Sequence, residues 1–184
     1  MSNIAVVYYS GYGHTKVVAE TFAREIDAQL IEVDQEGNVP EDAWDKLNAA
    51  KGIVFGAPTY MAGVPWQFKK FADATSKIWF TQGWKDKIFA GFTNSASMNG
   101  DKQVTLISLQ TLASQHGGIW VSLGLAPSNT KAATRADVNN LGGSVGLLVQ
   151  SPADASVSEI PSGDLETAKL YAKRVQAIVN KFSD

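Results

Sequence analysis

The feature that most constrains this chain is a regular exchange of apolar runs and helical patterns along its length. "IAVVYY" (Ile4–Tyr9) is continuously apolar, as a strand buried on both faces must be. A helical stretch follows from Thr15 to Ala28, with Val18, Phe22 and Ile26 at helical spacing. Leu30–Val33 reads as a short second strand, Ala43–Ala49 as a modest helix, and "GIVFGAP" (Gly52–Pro58) as a third strand of buried type. Pro65 opens a helix that carries Phe68, Phe71 and Ala72 on one side. "KIFAGFT" (Lys87–Thr93) is the fourth strand, Val104–Gln115 a helix closed by His116-Gly117-Gly118, and "IWVSLG" the fifth strand. Ala126–Ser162 reads as irregular; Gly163–Phe182 is a closing helix with Leu165, Ala168, Ala172, Val175 and Val179 along its apolar side. This alternation, without internal repeat, predicts an α/β protein: a doubly wound, five-stranded parallel sheet with helices on both faces, in one domain over residues 1–184.

Composition narrows the partners. Hydrophobic residues are 45% and charged residues 18%, a globular balance, and the net charge of −2 argues neither for nucleic acid nor for a strongly basic partner. The chain has no cysteine, so disulfides and thiolate chemistry are excluded. The apolar run at Ile4–Tyr9 is shorter than a secretory leader or a membrane span requires, which makes the cytoplasm the expected location.

In parallel α/β sheets ligands gather outside the carboxyl ends of the strands, near the point where strand order reverses. Three strand exits here are unusual: "SGYGHT" (Ser10–Thr15), "PTYMAGV" (Pro58–Val64) and "TNSASMNG" (Thr93–Gly100) concentrate glycine, hydroxyls and amides. They are expected to converge on one pocket. In the first, a glycine-rich turn feeds a helix amino terminus, a setting that favours phosphate through free N–H groups and the helix dipole. Ser10, His14 and Thr15 add donors, and Lys16 stands at the end of the turn. An ordinary strand-to-helix turn capped by Thr15 is the other reading. The spacing does not match a Walker loop. Gly11-Tyr12-Gly13 with Asp34 downstream approaches a dinucleotide fingerprint, but its third glycine would fall at Lys16.

"YYSGYGHT", "VFGAPTYMAGVPWQFKKFAD", the "IW" at Ile78-Trp79 and "LASQHGGIWVSLG" together resemble the flavodoxin-like NAD(P)H:quinone oxidoreductases of the tryptophan-repressor-binding-protein type, the WrbA family. The similarity runs from Ile4 to about Leu123 and returns through "LGGSVGLL". It implies a flavodoxin-like fold and FMN, with the phosphate held by Ser10, Gly11, Tyr12, Gly13, His14 and Thr15. The same resemblance places Pro58, Thr59, Tyr60, Met61 and Gly63, together with Thr93, Asn94, Ser95, Ser97, Asn99 and Gly100, around the ring and ribityl chain. Asn99-Gly100 also reads as a plain turn. The family puts a tryptophan at Trp79 beside the ring, whereas composition alone favours a packing role for it. It also puts a histidine over the redox face, a role that falls on His116; a helix carboxyl-end cap is the other reading of that residue. Tyr12, Trp79 and His116 are therefore the candidate catalytic residues. Three departures stand out: Tyr60 replaces the family's arginine after Pro-Thr, the third loop is poorer in glycine, and Gln115-His116 replaces a histidine pair.

The function so implied is two-electron reduction of a quinone-like acceptor, with NADH or NADPH as donor, by a homodimer or tetramer that binds neither nucleic acid nor membrane. The segment between the second and third strands is short for the tetrameric relatives, which favours the dimer. Two alternatives share the fold: a single-electron flavodoxin carrier, and an FMN-binding regulatory or interaction module. The balance of 16 basic to 18 acidic residues lacks the acidic excess that carriers use to steer basic partners. No metal is expected, since His14 and His116 are the only histidines and no carboxylate cluster joins them.

Overall fold

A computed structural model describes residues 3–182. β1 (Ile4–Tyr9) leads into α1 (His14–Ile26), followed by β2 (Gln29–Val33), α2 (Ala43–Ala49) and β3 (Gly52–Pro58). Next come α3 (Trp66–Ala74), a short α4 (Ser76–Phe80), β4 (Ile88–Ser95), α5 (Lys102–Gln115) and β5 (Ile119–Trp120). β6 (Leu147–Gln150), a 3-10 turn (Val157–Glu159) and α6 (Ser162–Lys181) complete the described chain. The strands are parallel, in the order β2-β1-β3-β4-β5, with β6 also paired to β4.

Strand periodicity builds two cores from one sheet. Ile4, Val6 and Tyr8 of β1 face a cluster containing Phe22 of α1 and Tyr171 and Val175 of α6. The intervening Ala5, Val7 and Tyr9 face the opposite cluster, with Leu47, Phe68, Phe71 and Leu109 from α2, α3 and α5. Every residue of β1 and β3 is buried, which explains why these strands read as unbroken apolar runs.

The outer edge differs from the sequence expectation. The fifth strand is only Ile119–Trp120, opposite Ile88 and Phe89 at the start of β4. The rest of β4, Phe92–Ser95, pairs instead with Leu147–Gln150, so the sheet has six strands and one edge position is shared by two segments. The intervening excursion is pinned by Asn139, which is buried and donates to the carbonyls of Leu125 and Gly143. Trp120 Nε1 closes it with a 2.7 Å bond to the Val145 carbonyl. "IWVSLG" has strand-like alternation, but after Trp120 the chain bonds to β4 only through Val121 N before leaving the edge. Among the described residues, no helix is long and apolar enough to cross a membrane.

Candidate functional site

Strand order reverses between β1 and β3, and the loops leaving these strands flank a cleft of about 550 Å³. That volume suits a small cofactor. Ser10, Tyr12, His14 and Thr15 line it from the first loop, Pro58, Thr59 and Tyr60 from the second, and Asn94, Ser95 and Ala96 from the third.

The first loop is shaped by Ser10. Its Oγ accepts the N–H groups of Gly13 and Lys16, each at 3.1 Å, which folds the loop over the start of α1. α1 begins one residue earlier than the sequence suggests, with Gly13 rather than Thr15 at the N-cap. Gly13 has φ 90°, and a Cβ there would lie 2.9 Å from Val157 Cγ1. Glycine is needed on both counts. The N–H groups of Tyr12, His14 and Thr15 have no partner among the described residues, and neither does the Thr15 hydroxyl. Three free donors at the positive end of a 13-residue helix form an anion cradle. No lysine or arginine lines the cleft. Lys16 turns away to pair with Glu32 at 3.0 Å, and Asp34 spends its carboxylate on the N–H groups of Glu36 and Asn38 in its own turn, which removes the dinucleotide reading.

Tyr60 ties the second loop to the first. The Gly11 N–H is aimed at its hydroxyl, a Cβ on Gly11 would fall 2.5 Å from that oxygen, and the Tyr12 ring meets the Tyr60 ring edge-on at 6.0 Å. Burial, with Tyr9 and Tyr12 adding to it, pushes the Tyr60 hydroxyl up to about 12. Beyond Tyr60 the chain reverses through Met61 and Ala62, at φ 46° and 66°, a tight turn closed by the Tyr60–Gly63 pair. Positive φ at two non-glycine residues is stored strain, and it projects Met61 fully into solvent. Met61 and Gly63 therefore miss the first cleft. With Gly11, Tyr12, Tyr60 and Trp66 they line a neighbouring cleft of about 620 Å³, separated from the first by the Tyr12–Tyr60 wall.

A fourth wall was not legible as a loop in the sequence. Ser151, Pro152, Ala153 and Ala155, which follow β6, close the cleft opposite the second loop. Asn94 and Ser151 bond to each other at 2.9 Å, and His14 Nε2 donates to the Ala155 carbonyl at 3.0 Å. Reading "GLLVQ" as a strand would have exposed this wall by the strand-exit rule.

Several candidate residues lie elsewhere. Thr93 is fully buried, bonding to Thr59 Oγ1 at 2.8 Å; that oxygen also donates to Thr105, so Thr93 supports the wall from behind. Ser97, Asn99 and Gly100 belong to the third loop but do not line the cleft. The clearest correction concerns His116. α5 starts beside the cleft and runs back along the sheet for 14 residues, roughly 21 Å at ~1.5 Å per residue, which carries His116 to the opposite end. There His116 is buried, its Nε2 bonded to Thr75 Oγ1 at 2.8 Å and its ring 4.8 Å from that of Trp84. It ends α5 with its backbone and packs, and its ring bonds to Thr75 rather than to the helix carbonyls. Trp79 follows α3 to the same end, is 45% exposed and lines neither cleft. Among the described residues no group of three histidines or carboxylates could hold a metal.

A parallel sheet with an anion cradle at its switch point defines a flavodoxin-type phosphate-binding protein. A family model described as NADPH-dependent FMN reductase matches residues 10–132, and the chain belongs to that family. It is 69% identical to "Flavodoxin FldP" of Pseudomonas aeruginosa over 97% of both chains. It is 27% identical to an "NAD(P)H dehydrogenase (quinone)" of Solidesulfovibrio magneticus over 97% of this chain and 98% of that one. A crystal structure described as a flavodoxin, WrbA-like protein from Agrobacterium tumefaciens is 49% identical and superposes with a TM-score of 0.82, covering 98% and 99% of the two chains. The flavodoxin-like fold and the WrbA-type resemblance are thereby established.

FMN fits the cleft on the structure's own terms. The cradle offers three unpartnered N–H groups for one phosphate, Pro58, Ala96, Pro152 and Ala153 offer apolar surface, and Ser95 Oγ is buried without a partner.

Proposed function

We propose that the chain is an FMN-dependent oxidoreductase that takes reducing equivalents from NADH or NADPH and passes them to a quinone. The observation that supports this reading best is the pairing of an anion cradle with an open second cleft across one aromatic wall. The N–H groups of Tyr12, His14 and Thr15 hold the FMN phosphate, with the Ser10 and Thr15 hydroxyls as further donors. Thr59, Asn94 and Ser151 border the polar part of the cofactor, and Pro58 and Ala96 its faces. FMN supplies the hydride chemistry; the protein supplies binding, orientation and shielding from water. Tyr12 is 80% exposed on the rim shared by the two clefts and guides the entering nucleotide and acceptor. His116 has no part in this reading, since it packs at the other end of the sheet.

A carrier that exchanges single electrons with a protein partner is the second reading, favoured by the 69% identical relative named a flavodoxin. One experiment separates them. FMN-loaded protein is mixed anaerobically with NADH or NADPH, and benzoquinone is then added. Flavin absorbance that bleaches within seconds and returns with quinone supports the reductase. Absorbance that neither nucleotide bleaches over minutes, while dithionite does, overturns it in favour of the carrier.

A further inference from the structure

Lys102 is the first residue of α5 and is 1% exposed, although it borders a loop at the edge of the cleft. A lysine is rarely sequestered so completely without a carboxylate against it. Here Nζ donates to two backbone carbonyls of the third loop, Ser97 O and, at 3.2 Å, Met98 O. Asp164, at the start of α6, is already engaged by Arg135 and by the Gln150 N–H at 2.9 Å, and it acts on Lys102 only through its field. The same assembly holds the loop at its other end, where the Gln150 side chain donates to Ala96 O at 2.7 Å. Gly100 and Asp101, both at φ 52°, bend the chain around the ammonium, and a Cβ at Gly100 would strike Ser95 Oγ and crowd Nζ.

This wrapping has a stereochemical consequence. In a planar trans peptide the N–H points opposite to the carbonyl. Turning the Ser97 and Met98 carbonyls onto the ammonium turns the N–H groups of Met98 and Asn99 away from it, and both lack partners among the described residues. Met98 and Asn99 lie outside the cleft, so what the wrapping fixes there is the course of the chain just after Ser95 and Ala96, which line the cleft and include the unpartnered Ser95 Oγ.

We infer that Lys102 is a positioning residue that holds the third loop, from Ala96 to Asp101, in the shape that receives the polar edge of the flavin ring. This rests on the proposal that the cleft holds FMN. Burial pushes the Lys102 ammonium down to about 8, with Asp164 opposing and Arg135 adding to the shift, so a group that costs stability is retained beside the cleft.

The test titrates flavin-free full-length protein with FMN and with riboflavin, following flavin fluorescence, in the parent, Lys102→Met and Lys102→Gln. Riboflavin has the ring without the phosphate. Both variants should weaken FMN and riboflavin by the same factor, about tenfold for two lost charge-assisted bonds. Lys102→Met should melt no lower than the parent, because it removes a buried charge. Parent affinity for both flavins should fall between pH 7 and pH 9 as Lys102 loses its proton, and Lys102→Met should be flat over that range. Parent-like affinities and pH profiles in both variants, or an effect on FMN alone, would overturn the inference while leaving the FMN reading intact. A parent that binds no flavin would overturn both.

Discussion

At the carboxyl end of the sheet, the N–H groups of Tyr12, His14 and Thr15 stand without protein partners. At the amino end the donors are engaged. Lys87 Nζ reaches the Asn48 carbonyl at 2.7 Å and those of Leu47 and Ala50, Trp84 Nε1 bonds to Asn48 Oδ1 at 2.9 Å, and His116 bonds to Thr75. One geometric fact produces both patterns. In a parallel α/β sheet each helix runs back against its strands, so helix amino ends collect at one side and carboxyl ends at the other. The first side is left with spare N–H groups, the second with spare carbonyls. At the second side Lys87 meets three of those carbonyls, while Trp84 and His116 pack there on the side chains of Asn48 and Thr75; the first side keeps its free N–H groups. The two histidines illustrate the split, His14 stapling the cleft to Ala155 and His116 packing under Trp84.

The comparison predicts that damage at the amino end lowers stability and damage at the carboxyl end lowers affinity. The largest effect should come from Trp84→Ala. Trp84 is wholly buried, and its loss should cost about 3–5 kcal/mol, lowering the melting temperature by roughly 10 °C. Below the transition its FMN affinity should stay within about twofold of the parent's, given the distance of the cleft. A parallel fall in affinity, measured by fluorescence titration, would break the division between the ends.

Gly13→Ala comes next. At φ 90°, with Val157 Cγ1 at 2.9 Å, a methyl group strains the cradle by about 1–2 kcal/mol. FMN should bind roughly tenfold more weakly by the same figure, while riboflavin, which has no phosphate, should bind almost unchanged. Equal losses for both flavins would move the phosphate away from this loop.

The smallest effect sharpens the role of His116. Burial lowers its pKa below the usual 6.5. The unfolded chain, titrating at the ordinary value, therefore takes up its proton before the folded one as the pH falls. This contribution to stability is complete above pH 6.5 and is lost on acidification through the folded value. Urea unfolding at pH 7 and pH 5 should show a steeper loss in the parent than in His116→Gln. An equal slope in the two would remove His116 as the titrating group.

Strand and helix alternation was legible because each element's burial pattern is local. β3 and α2 have the bounds read from the sequence, since "GIVFGAP" is apolar throughout and Ala43–Ala49 follows the acidic pair Glu41-Asp42. The three loops that border the cleft were legible because a strand exit that must bend tightly shows its glycines and hydroxyls. β6 was not. Leu147–Gln150 is four residues long, and only the free half of β4's edge gives it a reason to be a strand. The wall it delivers at Ser151–Ala155 has no residue that announces binding.

Charge and distance divide the same way. Lys102 in "NGDKQV" looks like any surface lysine, and its burial exists only because the third loop, β6 and α6 close around it. Local patterning determined which residues form strands, helices and binding turns, because burial periodicity and turn stereochemistry act over a few residues. Which of those residues share a site was decided by the tertiary structure alone: strand pairing joins segments far apart in sequence, and the length of α5 carries His116 to the opposite end of the sheet from the cleft where that helix begins.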